Sequence, residues 1–151
     1  TGHLVMSTLH TNSAVGAVTR LLDMGIDAYL LASSLVGVLA QRLLRTLCPH
    51  CKDPHQASAV ECQRLSAQAP VKIFRARGCA HCQQGYRGRI GVYELIRITP
   101  AMSGLIHQSA SEQILIQEAR KHSQSLFQDG QRLVLDGLTS LDELLRVSQE
   151  S

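Results

Sequence analysis

Two Cys-x-x-Cys pairs, Cys48-Pro49-His50-Cys51 and Cys79-Ala80-His81-Cys82, constrain this chain more than any other feature; 27 residues separate them. A turn of this kind puts both sulfurs on one side of a tight loop. Two such turns supply four thiolates, which suits tetrahedral zinc at about 2.3 Å per bond. Gly78, Gly85 and Gly88 flank the second pair, where close turns demand positive φ. An iron–sulfur cluster also accepts four thiolates. A thioredoxin-like redox site fits less well, because it uses one such pair at a helix start. His50 and His81 lie inside the turns and could replace a thiolate, but four cysteines already complete the shell. A closed shell has no open position for water, so the expected zinc is structural. Cys62, the fifth cysteine, reads as a free thiol in a loop.

The remaining composition limits the fold and the partners. With 151 residues the chain makes one domain or two small ones. It has no Trp and only 3% aromatics, so the core must come from Leu, Val, Ile and Ala. Net charge is +3, carried unevenly: +1 over 1–47, +5 over 48–92 and −3 over 93–151. The basic middle, with Lys72, Arg75, Arg77, Arg87 and Arg89, could meet phosphate, an acidic partner or a neighbouring subunit, or simply form a solvated face. The longest apolar run, Ala28 to Ala40, contains Ser33, Ser34 and Gly37 and is shorter than the ~20 residues of a membrane span. The chain opens Thr1-Gly2-His3, without an initiator Met or a signal peptide's basic start, and is expected to be a fragment from a soluble, reducing compartment.

Patterning predicts the elements. Leu4-Val5-Met6 reads as a short buried strand ending in the mostly polar run Ser7 to Asn12. Asn12 or Ser13 can cap a helix with Val15, Val18, Leu21 and Leu22 inward, closed by Gly25. The spacing from Asp27 predicts one helix through Leu44, apolar round most of its circumference, with Arg42 and Arg45 near its C-terminus. Val71–Arg75 and Ile90–Ile96 read as strands, and 57–70 as a surface loop or short helix. Helices are expected after Pro100, after Ser111 and from about Ser125 to Asp136. Ser140-Leu141-Asp142-Glu143 reads as a capping box opening a last helix.

The run Gly2-His3-Leu4-Val5-Met6-Ser7-Thr8-Leu9-His10-Thr11-Asn12 closely resembles the His box of secretion traffic ATPases. Val18–Gly25 and Leu39–Leu43 look like the two helical stretches that follow that box. The metal motif comes next, as in the export and pilus-extension branches. Gly88–Leu95 resembles the strand returning after the metal subdomain, and Asp129-Gly130 with Gly137–Glu143 resembles the helical tail. The resemblance covers almost the whole chain and is closest to the type II secretion branch, with pilus-extension ATPases as near neighbours.

That resemblance implies an α/β chain. Residues 1–47 would be the C-terminal part of a RecA-like domain, 48–92 a tetracysteine zinc subdomain, and 93–151 the returning strand with a small helical bundle. It implies a hexameric cytoplasmic motor that uses ATP and Mg²⁺ and reaches the inner membrane through a membrane-anchored secretion component. No GxxxxGK[ST] loop is present, so the fragment alone is expected to be inactive. His10, and less directly His3, would act beside the nucleotide, where imidazole can donate hydrogen bonds and orient water. On spacing alone, two histidines near one strand could be chance. Thr8 and Thr11 could bond phosphate-side groups or serve the strand and cap. Arg20 and Arg42 could reach a phosphate or a neighbouring subunit, or form surface salt bridges. Two other functions remain: a zinc-ribbon nucleic-acid binder, opposed by the acidic tail and by having only Phe74 and Tyr86 to stack bases, and a docking module for a membrane-anchored partner.

Overall fold

A computed structural model describes residues 2–149. The elements in chain order are α1 (Ala14–Asp23), α2 (Ala28–Ser34), β1 (Gly37–Leu47), β2 (Asp53–Gln56), α3 (Ala59–Leu65), β3 (Lys72–Arg75), β4 (Tyr86–Arg97), α4 (Pro100–His107), α5 (Glu112–Ala119), α6 (Leu126–Leu135) and α7 (Leu141–Gln149). Among the described residues β1 is hydrogen-bonded to β4, and β2 to β3. The chain divides into two compact units interleaved in sequence: Thr1–Ala40 with Leu95–Ser123, and Gln41–Glu94 with Gln124–Ser151.

In the first unit, α1 begins where Ser13 Oγ accepts the Gly16 N–H at 2.9 Å. It ends in a Schellman turn. Gly25 sits at φ 86°, and the Gly25 and Ile26 N–H groups donate to the Leu22 and Leu21 carbonyls. The core joins Ala14, Val15 and Val18 to Leu31 and Ala32, Ile96, Met102, Ile106, Leu115 and Ala119. Burying Ile106 and Leu115 almost completely contributes roughly 1.5–3 kcal/mol each. Ser103 Oγ donates to the Ala32 carbonyl at 2.8 Å and ties α4 to α2.

The predicted helix over 27–44 is corrected: α2 stops at Ser34, and 37–47 is strand β1. The Leu39–Leu43 stretch is therefore extended rather than helical. Ser33 and Ser34 both donate their hydroxyls to the Leu30 carbonyl, at 3.1 and 2.6 Å. Such back-bonding weakens a helix. Val36 and Val38 then favour the pleat, and at Gly37 an added Cβ would lie 3.1 Å from the Ile96 carbonyl oxygen. Along β1, Gly37, Leu39, Gln41 and Leu43 are exposed, while Val38, Ala40, Arg42 and Leu44 are more covered. The leucines satisfied a helical period, but their partner strand comes about 50 residues later.

The predicted strand at Leu4-Val5-Met6 is also absent. Residues 2–12 have no regular structure, and these three side chains are 79, 81 and 89% exposed. A short apolar strand forms only beside a neighbour, and none is paired with it among the described residues.

In the second unit β2 and β3 run antiparallel, with Asp53 opposite Arg75 and Gln56 opposite Lys72. The segment 57–70 contains α3, opened by a Ser58–Glu61 capping box. Cys62 is a free thiol, as expected, but it is buried on this helix rather than lying in a loop. The core gathers Leu44, Leu65, Ile73, Val92, Leu133, Val134, Leu141 and Leu144. Gly137, at φ 71°, ends α6 through the Gly137→Val134 and Leu138→Leu133 backbone bonds. The box predicted at Ser140 is only half formed. Ser140 Oγ accepts the Glu143 N–H, but the Glu143 carboxylate goes to Arg45 and Arg146 instead.

Candidate metal centre

Cys48 follows β1 directly, and its N–H donates to the Gly85 carbonyl at 2.8 Å. The chain then turns, with Cys51 and Lys52 both donating to the Cys48 carbonyl. Lys52 Nζ reaches the Gly137 carbonyl at 2.9 Å and covers the Phe74 ring. In the second turn Cys82 donates to the Cys79 carbonyl, and the Cys79 N–H points at Cys82 Sγ at 3.3 Å. Gln83 and Tyr86 exchange both backbone bonds across the two-residue loop Gln84-Gly85. Both loop residues have positive φ, 52° and 88°, the backbone of a type I′ hairpin turn. That hairpin aims the Gly85 carbonyl at Cys48 and so links the two cysteine turns.

The four sulfurs lie within 4.8 Å of one another. Cys48 and Cys79 are 3.9 Å apart, Cys51 and Cys82 3.7 Å, and Cys79 and Cys82 3.7 Å. A disulfide needs about 2.05 Å, so all four are free thiols. A tetrahedron of 2.3 Å metal–sulfur bonds has edges of about 3.8 Å. The three sulfur spacings match that edge, so the donor set fits a tetrahedral thiophilic cation. Without the cation's charge the thiols do not ionise together. Desolvation, joined by the neighbouring thiols, pushes Cys51 up to about 12. At Cys79 the His81 N–H pulls the value down, but desolvation and the Cys82 and Cys48 sulfurs raise it overall. At Cys82 desolvation is overcome by hydrogen bonds from the Cys79 backbone, the Cys79 thiol and the Gly85 backbone, which bring it down to about 7. A bound cation stabilises all four thiolates at once.

Gly85 has no room for a side chain. An added Cβ would lie 2.6 Å from Ala76 Cβ and 2.9 Å from the Arg77 nitrogen, at a φ that L residues avoid. Gly85→Ala is expected to cost about 1–3 kcal/mol and to weaken metal retention by moving the Cys48 acceptor. Thermal melting and competition with a chelator check both; unchanged values would show the turn to be tolerant.

The other predicted site residues are not gathered in this way. His3, Thr8 and His10 are exposed on the irregular segment 2–12. Thr11 Oγ1 donates to the Ser13 carbonyl at 3.1 Å, a local turn contact. Arg20 is exposed in the last turn of α1, and Arg42 lies on β1. A cavity of about 470 Å³ is lined by Leu95–Pro100, Met102, the end of α5 and the following His122 and Ser123, and includes none of them. Lys72, Arg75, Arg77, Arg87 and Arg89 are all exposed. Arg75 meets Asp53 at 3.6 Å.

The spacing did not reveal the polar cluster beside the cysteines. Arg45 Nε and NH2 bind the Glu143 carboxylate at 3.0 and 2.6 Å. The Arg45 N–H donates to it as well, and Arg146 adds two more bonds. The Arg45 guanidinium lies 4.2 Å over the Tyr86 ring, whose hydroxyl meets Ser140 Oγ at 2.6 Å. Arg45 and Glu143 are 98 residues apart, so no local signal could pair them.

These features define a mixed helix-and-sheet chain carrying a four-cysteine cluster whose donor set fits a metal ion. It belongs to the family described as type II/IV secretion system proteins, whose model matches residues 1–146. It is 55% identical over 153 residues to type II secretion system protein E of Pseudomonas aeruginosa, covering 99% of this chain and 30% of that protein. It is 51% identical over 154 residues to type II secretion system ATPase E of Vibrio cholerae, covering 100% of this chain and 31% of that protein. Type II secretion system protein HxcR of Pseudomonas aeruginosa is 46% identical, covering 100% and 29%. The chain thus spans about 30% of the length of the curated relatives it matches.

Proposed function

We propose that this chain is the C-terminal portion of a hexameric cytoplasmic ATPase that powers type II protein secretion. The observation that carries this reading is identity of 55 and 51% along nearly the whole chain to secretion-system E proteins, one of them named an ATPase. On this reading residues 1–47 belong to a RecA-like domain, 48–92 form a zinc subdomain, and 93–151 supply the returning strand and helices. Cys48, Cys51, Cys79 and Cys82 hold one zinc ion, which supplies a rigid crosslink and no open coordination position.

ATP and Mg²⁺ chemistry needs a phosphate-cradling loop, and the sequence contains no GxxxxGK[ST] run. In this proposal that loop belongs to the part of the relatives that the chain does not span. The exposure of Leu4, Val5 and Met6 supports the same view, since an apolar triplet this bare suits a strand whose sheet neighbours lie there. His10, with His3, Thr8, Thr11, Arg20 and Arg42, would then face nucleotide or a neighbouring subunit. No helix among the described residues is long and apolar enough to cross a membrane; a membrane-anchored secretion component would make that link. The nucleic-acid alternative loses support at its two rings, since Lys52 lies over Phe74 and Arg45 over Tyr86.

In the full-length protein, His10→Ala is expected to lower ATP turnover about a hundredfold with an unchanged melting temperature. Steady-state turnover by the purified hexamer tests this. Wild-type turnover in the variant would remove His10 from the chemistry.

A further inference from the structure

The two cysteine turns stack in a common register, and that register aligns a third pair of residues. Cys48 pairs with Cys79 and Cys51 with Cys82, each 31 positions apart. His50 and His81 hold the equivalent third position of each turn, again 31 apart. Their rings meet accordingly, with centroids 5.1 Å apart and planes tilted by 39°. Both side chains are exposed, and neither belongs to the four-sulfur group.

This separation has a chemical meaning. An ion bonded at about 2.1 Å to one nitrogen of each imidazole sits about 3.2 Å from each ring centroid, and a tetrahedral angle at the ion then sets the centroids about 5.2 Å apart. The observed 5.1 Å matches that spacing and also lies within the range of about 4.5–7 Å of an ordinary ring pair, so it permits a two-imidazole chelate without movement of the turns. Imidazole selects zinc, nickel and copper over calcium or magnesium. Two protein ligands leave the other positions to water, so such a site exchanges its ion, in contrast to the closed thiolate centre.

We propose that His50 and His81 form a second, exchangeable site for a divalent transition-metal ion, held in place by the four-thiolate centre beneath it. The proposal rests on that centre being metal-loaded, so the two are measured separately.

The test uses the whole protein carrying one zinc at the sulfurs, titrated with Ni²⁺ near neutral pH by calorimetry, with sulfur-bound zinc quantified in parallel. The wild type should take up one Ni²⁺ beyond the zinc. His50→Asn and His81→Asn should each weaken that uptake at least about tenfold while the sulfurs keep their zinc. Absence of Ni²⁺ uptake by the zinc-loaded wild type would overturn the proposal. So would unchanged uptake in the double variant, which would place an adventitious ion on His3, His10, His55, His107 or His122. A variant that lost zinc together with Ni²⁺ would assign the histidines to the first centre and equally overturn a separate site. A wild type without zinc at its sulfurs would instead count against the thiolate centre itself.

Discussion

Removing the metal should unfold the segment between the cysteine turns and lower the melting temperature by roughly 10 °C or more. A structural zinc supplies about 10–16 kcal/mol of apparent binding free energy, much of which is folding free energy. Among the described residues the four sulfurs, the Cys48–Gly85 hydrogen bond and the His50–His81 ring contact link the two turns. Without the cation the cluster does not ionise as a whole, because desolvation, joined by the neighbouring thiols, pushes Cys51 up to about 12. Cys48→Ser and Cys79→Ser should reproduce the effect of chelation. Metal analysis should give one zinc per chain. Hydrogen exchange should localise the loss of protection to residues 48–92, while α4 and α5, which belong to the other unit, keep theirs. A metal-free protein that melts with the metal-bound one would end the structural-zinc reading.

Glu143 carries the second large effect. Its side chain is fully buried, yet it is charged and accepts bonds from two arginines and the Arg45 N–H. Truncating one partner of a buried ion pair costs about 3–5 kcal/mol. Arg45 and Arg146 remain 38 and 46% exposed and can turn to water, so Glu143→Ala should fall near the lower end, about 3 kcal/mol. Part of that cost is the stranded Arg45 N–H.

The pH dependence follows from the lowered pKa. Desolvation opposes ionisation of Glu143, but the Arg146 and Arg45 hydrogen bonds overcome it and bring the value down to about 2, from 4.5 for an unperturbed glutamate. Below about 4.5 the unfolded chain takes up a proton that the folded chain refuses. The stabilisation is therefore complete above about 4.5 and lost as pH falls towards about 2. Glu61, also near 2, titrates over the same range. The informative quantity is thus the difference between wild type and Glu143→Gln in denaturant unfolding from neutral pH to acid. A difference that stays constant across that range, or a Glu143→Ala variant as stable as wild type, would show the network to be unimportant.

Local chemistry predicted some parts of the molecule well. Ser13, Gly25, Pro100, Ser125 and Gly137 bound helices as their types require, because a cap or a positive φ is settled within a few residues. The cysteine spacing likewise pointed to one four-sulfur cluster, since each turn is complete in itself. Ser140 shows where locality ends: its hydroxyl caps α7, but its box partner Glu143 found stronger donors in Arg45 and Arg146.

What the sequence determined by itself was the four-thiol centre, most of the helix ends and the family resemblance. The tertiary structure decided three other matters. It made 37–47 a strand, because β4 supplied the hydrogen bonds. It buried the Arg45–Glu143 pair across 98 residues. It left Leu4, Val5 and Met6 exposed, because no strand lies beside them among the described residues. In each case the deciding partner is remote in sequence. Hydrogen bonds and ion pairs depend on position in space, and local periodicity carries no record of which remote group arrives.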